Sequence, residues 1–281
     1  MARAEKVLQF ATVPRDLDRD AALVVAHHPE RSRGDIVLAP DMQGRLERVI
    51  DEFRAQTDLA RHGLSPKSRL LFVGPPGCGK TLCADILAGE LGLDLLHARF
   101  DGIVSSYLGE TANNLRRVFA YASQQKAVLF FDEFDAVGKR RDDPQEVGEL
   151  KRVVSSFLQI LDAHPRDRMV VAATNHEGML DDALWRRFDE ILYFGRPVHA
   201  QLVELIELRL KSVRKRGVDV DALATEMAGF SYADAERVCL EATKAMLLRG
   251  AKEMTRDVLD RELSEQRVRL ALAKGLHDKT T

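Results

Sequence analysis

The run Leu70-Leu71-Phe72-Val73-Gly74-Pro75-Pro76-Gly77-Cys78-Gly79-Lys80-Thr81 decides the fold of this 281-residue chain. Its four leading apolar residues mark a short buried strand, and residues 80–91 read as a helix. Between strand and helix, Gly74 to Thr81 fit G-x-x-x-x-G-K-[ST], in the setting that gives this pattern its meaning. Glycines let such a loop turn its backbone N–H groups inward. The helix that follows aims the positive end of its dipole at the same point. The loop reads as a cradle for nucleotide phosphates, with Pro75, Pro76 and Cys78 completing it and Leu82 just beyond. Lys80 supplies a charge for the β- and γ-phosphates, and the Thr81 hydroxyl a ligand for Mg²⁺.

Outward from this run the same alternation continues. Apolar runs at 93–97, 128–131, 169–173 and 191–194 are separated by helical stretches that include 112–125 and 148–161. Strands alternating with helices predict an α/β fold with a parallel five-stranded sheet covered on both faces. Upstream, 41–62 reads as one amphipathic helix carrying Leu46, Val49, Ile50, Phe53 and Leu59, with Asp41 near its start and Gly63 past its end. Residues 17–28 read as a short helix ended by Pro29. After Pro197 the strands stop, and 201–215, 219–227, 233–249 and 256–269 read as helices of a small all-α lid. The expected division is an N-terminal segment (1–34), a large α/β domain (35–196), a helical lid (197–270) and a tail (271–281).

The third apolar run ends in Asp132-Glu133. Open α/β sheets bind ligands at the carboxyl ends of their strands, where this acid pair falls. Asp132 is expected to hold Mg²⁺ through its water shell, and Glu133 to polarise the attacking water as general base. Asp135 is given no catalytic role.

Bulk composition narrows the classes. Hydrophobic residues make up 45% and charged residues 31%, as in an ordinary globular protein. Lys plus Arg total 42 against 44 Asp plus Glu, which disfavours a dedicated nucleic-acid binder. Cys78, Cys83 and Cys239 show no metal spacing and read as free thiols in a reducing compartment. Neither a signal peptide nor a membrane helix is expected, and the expected location is the cytoplasm.

Four further segments resemble the AAA branch of the AAA+ ATPases over roughly residues 35–270. Ala172-Ala173-Thr174-Asn175 resembles that family's sensor 1, which implies that Asn175 orients the lytic water. Leu184-Trp185-Arg186-Arg187-Phe188-Asp189 resembles its arginine-finger segment, which implies that Arg187, with Arg186 beside it, reaches a neighbouring subunit's nucleotide. Ser105-Ser106-Tyr107-Leu108-Gly109-Glu110 resembles the first pore loop, which implies that Tyr107, Leu108 and Gly109 touch a polypeptide in a ring's channel. Gly229-Phe230-Ser231-Tyr232-Ala233-Asp234 resembles a lid segment whose backbone, including Gly229 and Ala233, lies near adenine and ribose. Tyr232 replaces the usual glycine there, and Asp35-Ile36-Val37-Leu38 stands where the family often has Asp-Ile-Gly-Gly.

The resemblance implies an ATP-hydrolysing motor that uses ATP and Mg²⁺. It also implies a homo-oligomer, a hexameric ring, that unfolds or remodels a protein substrate. His176-Glu177 lacks the second His of His-Glu-x-x-His, so a partner such as a protease is expected to be a separate chain. A DNA- or RNA-associated ATPase and an ATP-switched scaffold remain as alternatives. Residues 138–149 read either as a second channel-face loop or as a solvated charged turn.

Overall fold

The computed structural model describes residues 13–16, 21–99, 103, 108–134, 144–175 and 185–277, with side chains outside 108–109, 144–152 and 274–277. The chain forms two compact units. The first comprises Met1–Ser32, Gly44–Val73 and Thr81–Tyr193; the second comprises Arg33–Gln43, Gly74–Lys80 and Phe194–Thr281.

The first unit is built on a six-stranded sheet of β1 (Val24–His27), β2 (Arg69–Val73), β3 (Asp94–Ala98), β4 (Ala127–Phe131), β5 (Val170–Thr174) and β6 (Glu190–Tyr193), in the order β1-β3-β4-β5-β2-β6. The five predicted strands are all present and mutually parallel. Each of β2, β4 and β5 is buried along its whole length. Their continuous apolar runs suit a sheet covered on both faces. The covering helices include α3 (Lys80–Leu91), α4 (Leu108–Ser123) and α5 (Pro144–Ala163).

Two local readings need correction. The helix read over 17–28 is instead, at its described C-terminal end, the antiparallel edge strand β1, with Val24 opposite Ala98 and His27 opposite Leu95. The β-branched pair Val24-Val25 favours this, but the partner strand is remote in sequence. The single helix read over 41–62 is two, α1 (Pro40–Arg54) and α2 (Gln56–Arg61), broken at Ala55. Gly63 takes φ +71 just past α2, as the reading expected.

An aromatic cluster sits within the largely aliphatic core of the first unit. Phe131 lies between Phe119 (ring centroids 5.4 Å) and Phe157 (5.1 Å), and Phe157 also meets Phe134 at 4.7 Å. His164 packs edge-on against Phe119 at 5.2 Å. It is 7% exposed, and its Nε2 is buried with no hydrogen-bond partner. Burial, reinforced by Arg69, lowers its pKa to about 4. Because this lies below the unfolded value, the unfolded chain binds the extra proton between about pH 6.5 and 4, and stability falls as pH drops through that window. His164→Phe is therefore expected to flatten the fall in Tm between pH 7 and 4.5. An unchanged slope would exclude His164 as its source.

The second unit is a helical layer of α6 (His199–Arg209), α7 (Val220–Glu226), α8 (Tyr232–Leu248) and α9 (Arg256–His277). The helix read over 201–215 ends at Arg209, and Lys215 instead belongs to a two-residue parallel pairing, β7 (Lys215–Arg216) with β8 (Met254–Thr255), so the lid is not wholly helical. Leu202, Leu205, Ile206, Leu223, Val238 and Leu259 form its core, which Val37 also joins.

Candidate nucleotide site

The acid pair lies in the first unit. Asp132 and Glu133 directly follow β4, and Asn175 directly follows β5, its neighbour in the sheet. On the other side of β5 runs β2, with Val73 opposite Thr174, and the next residue opens the glycine loop. Thr81, in the first turn of α3, donates its Oγ1–H to Asp132 Oδ2 at 2.6 Å. An accessible hydroxyl and carboxylate side by side are a hard-oxygen pair of the kind Mg²⁺ takes, so the residues fit that ion.

Glu133 has φ +48, the one positive φ at a non-glycine among the described residues. For a side chain of this kind the left-handed region costs roughly 1–2 kcal/mol. Its N–H donates to Asp132 Oδ1 at 2.8 Å, so the two acids are tied by their own backbone and side chain. Strain of this kind clusters at functional sites, which makes Glu133 a candidate on geometry as well as position.

The glycine loop, Gly74–Lys80, lies in the second unit. Gly74 takes φ +143, and a Cβ there would lie 2.2 Å from the Phe194 carbonyl oxygen, so only glycine fits. Lys80 is 6% exposed and donates its Nζ to Gly74 O at 2.6 Å and Pro75 O at 3.0 Å. The loop thus holds its lysine inward. Cys78 is buried, and burial raises its pKa, so it acts as a small neutral packing residue rather than a thiolate.

The N-terminus of α8 sits directly on this loop. Ala233 N–H donates to Gly77 O at 3.0 Å. Gly77 takes φ +74, and a Cβ on it would stand 2.8 Å from Ser231 Oγ. Ser231 and Asp234 form a reciprocal cap: Asp234 N donates to Ser231 Oγ at 3.2 Å, and Ser231 N to Asp234 Oδ2 at 3.0 Å. The sequence reading does not place Ser231 beside the loop; the S-x-x-D spacing to Asp234 is the signal that marks it as a helix cap. Gly229 O accepts from Arg196, and Tyr232 packs against the lid core, where burial pushes its hydroxyl up to about 12. Tyr232 stays neutral at any physiological pH.

The arginine segment lies elsewhere. Arg187 Nε donates to Asp162 Oδ2 at 2.9 Å, and the buried Arg69 also contacts Asp162, Nη1 to Oδ1 at 3.4 Å. Arg69 opens β2, and Asp189 accepts from the Ser68 and Arg69 amides at 3.0 and 2.9 Å. Arg187 therefore belongs to the amino end of the parallel sheet. Strand length alone puts that end about 13 Å from the end that leads into the glycine loop. Sequence reading missed Asp162, since no local pattern joins it to Arg187. Arg186 is exposed.

Tyr107, Asp135 and His176-Glu177 lie outside the described residues, as do 138–143 of the proposed second loop. Leu108 and Gly109 are the first residues of α4, and 144–149 begin α5.

A glycine loop joining β2 to α3, together with an acid pair that directly follows a parallel strand, defines a P-loop nucleoside triphosphatase. Residues 70–196 match the family described as "ATPase family associated with various cellular activities (AAA)". Over 243 residues the chain is 44% identical to an uncharacterized AAA family ATPase of Sinorhizobium fredii, covering 86% of this chain and 73% of that one. It is 34% identical over 248 residues to ATP-dependent zinc metalloprotease FtsH 3 of Sphaerobacter thermophilus, covering 86% of this chain and 51% of that one. It is 31% identical over 284 aligned positions to a probable 26S proteasome regulatory subunit 10B of Caenorhabditis elegans, covering 95% and 68%. The chain belongs to the AAA family and is an ATP hydrolase. No helix among the described residues is long and apolar enough to cross a membrane.

Proposed function

We propose that this ATPase assembles into a ring of six copies and remodels or unfolds a protein substrate through the central channel. We place it in the cytoplasm, working with a separate partner such as a protease. ATP would lie on Gly74–Lys80 and Thr81, flanked by Leu82 and, on the lid, by Gly229 and Ala233. Mg²⁺ would be held by Thr81 and Asp132, supplying charge neutralisation at the phosphates. Glu133 would accept the proton of the attacking water, and Asn175 would orient that water. Tyr107, Leu108 and Gly109 would contact the substrate. The domain division proposed is 35–196 for the large domain and 197–270 for the lid, with 1–34 and 271–281 as flanking segments.

The observation that carries the ring is the place of Arg187. A guanidinium at the amino end of the sheet is remote from its own strand tips, so it serves a phosphate only on another copy. The names of two relatives, a proteasome regulatory subunit and an ATP-dependent protease, support a polypeptide substrate. The near-balanced charge gives no support to a nucleic-acid track.

The chain has a single tryptophan, and it stands in this segment: Trp185 is 39% exposed. When ATP is added to the Glu133→Gln form, mass measurement is expected to show six copies, and Trp185 emission to move to shorter wavelength as a neighbour covers it. A rise in mass with unchanged emission would remove the arginine segment from the interface, and a persistent monomer would remove the ring. Turnover should rise with a reduced, alkylated unfolded protein and not with single-stranded DNA; the reverse result would favour the nucleic-acid alternative.

A further inference from the structure

The N-terminal residues are fastened to two helices of the first unit. At one end the attachment is to α4. Asp16 is 5% exposed, and its Oδ2 accepts from Asn114 Nδ2 at 2.9 Å; Asn114 is itself 3% exposed. Arg117, one turn along α4, donates its Nη1 to Arg15 O at 2.8 Å. Residues 14–16 are bonded to 21–23: Asp16 N donates to Ala21 O and Leu23 N to Pro14 O, both at 2.8 Å. From there the chain runs as β1 along β3, and Arg99 N donates to Leu23 O at 2.9 Å.

At the other end the attachment is to α3. His27 Nε2 stands 3.0 Å from Asp85 Oδ1, and the Asp85 side chain is 13% exposed. Two residues on, the chain crosses α3 at Gly89. A Cβ there would meet Pro29 Cβ at 3.2 Å and Arg31 O at 3.3 Å. The missing side chain at Gly89 serves that close crossing.

The Asp16–Asn114 contact is buried on both sides and is not an interchangeable surface pair. A buried carboxylate that loses its amide donor keeps its desolvation cost without compensation, so Asp16 and Asn114 resist separation. Between the two anchorages, β1 is held along β3 by backbone pairing, and residues 14–16 are bonded to 21–23. A displacement of α3 therefore has a physical route to α4, through packed and hydrogen-bonded groups.

We propose that residues 13–16 and 21–31 form a strap that couples α3, which begins at Lys80, to α4, which begins at Leu108. Nucleotide bound at the start of α3 then changes the stability of α4. The consequence for a polypeptide rests on the ring reading above, whereas the coupling itself rests only on nucleotide binding.

The test is amide hydrogen exchange on the full chain carrying Glu133→Gln, with and without Mg-ATP. With the strap intact, ATP is expected to slow exchange in the first turns of α3 and to change exchange in α4 at least threefold. In Asp16→Ala and, separately, in Gly89→Val, the α4 response is expected to vanish while α3 remains protected. Asp16→Asn, which keeps an acceptor oxygen, should retain most of it. Should Asp16→Ala melt below the working temperature, His27→Ala at an exposed side chain gives the same reading from the other end. An α4 response equal in all forms, or none with the strap intact, would overturn the coupling. Absence of ATP protection in α3 would overturn the coupling together with the nucleotide site. Stimulation by unfolded protein is measured separately, so the ring reading can fail while the α4 response stands.

Discussion

Glu133→Gln is expected to leave ATP bound and to lower kcat by roughly 10² to 10⁴, the range a positioned general base contributes. The amide has the size of the carboxylate but cannot take up the proton of the attacking water. The Glu133 backbone lies in the left-handed region, and Gln would occupy it at a similar cost, so the turn at 132–133 should persist. The Glu133 N–H to Asp132 Oδ1 bond uses backbone on one side and Asp132 on the other, so it too survives. Tm should move no more than an ordinary surface substitution moves it, within about 0.5 kcal/mol of stability. Asp132→Asn differs, because it alters the partner of Thr81 Oγ1 and a proposed metal ligand together, and nucleotide affinity in the presence of Mg²⁺ should fall with turnover. Phosphate release measured beside equilibrium binding of a fluorescent ATP analogue separates the two variants. A Glu133→Gln enzyme within tenfold of the parent's kcat would end the assignment of the base.

The glycine loop, the acid pair and the five parallel strands were legible because each is written in a contiguous stretch. Leu70 to Thr81 contains its strand, its loop and the start of its helix, and 128–133 contains a strand and the acids at its tip. What escaped reading depends on partners far along the chain. Val24-Val25 became a strand because β3, some seventy residues on, offers a free edge. Asp16 sits in the stretch read only as an N-terminal segment, yet it is buried and Asn114 meets it. The break at Ala55 falls on a strong helix former and has no local cause in the sequence. At the site, the family resemblance located Gly229 and Ala233 but not the bond from Ala233 N–H to Gly77 O. A backbone-to-backbone contact leaves no mark in side-chain identity; only Gly77, which has no room for a Cβ beside Ser231, hints at it.

Arg187→Ala is expected to lower turnover of the assembled ring by roughly 10³ to 10⁵, the effect of removing a guanidinium from a phosphoryl transition state. Little of that loss should come from the fold. The Arg187–Asp162 pair is partly exposed, 36% and 45%, and pairs of that kind contribute about 0–1 kcal/mol. Asp162 also keeps Arg69, whose Nη2 donates to the Asp162 carbonyl at 3.1 Å. Arg187→Lys keeps the charge but loses the planar fork, so it should recover only a fraction of the activity. The decisive form of the experiment mixes two inactive proteins. Lys80→Ala subunits lack the loop lysine but carry Arg187; Arg187→Ala subunits have a complete loop but no guanidinium to lend. If Arg187 acts across an interface, a complete site arises wherever an Arg187→Ala subunit receives the arginine of a Lys80→Ala neighbour. With random mixing at equal amounts in a closed ring of like interfaces, about one site in four is complete, and activity should return to about that share of the parent's. If Arg187 acts within its own chain, every mixture stays dead. Rescue therefore requires both that Arg187 serves a neighbour and that the neighbour's Lys80 loop holds the nucleotide, and a flat activity across all mixing ratios removes the shared site.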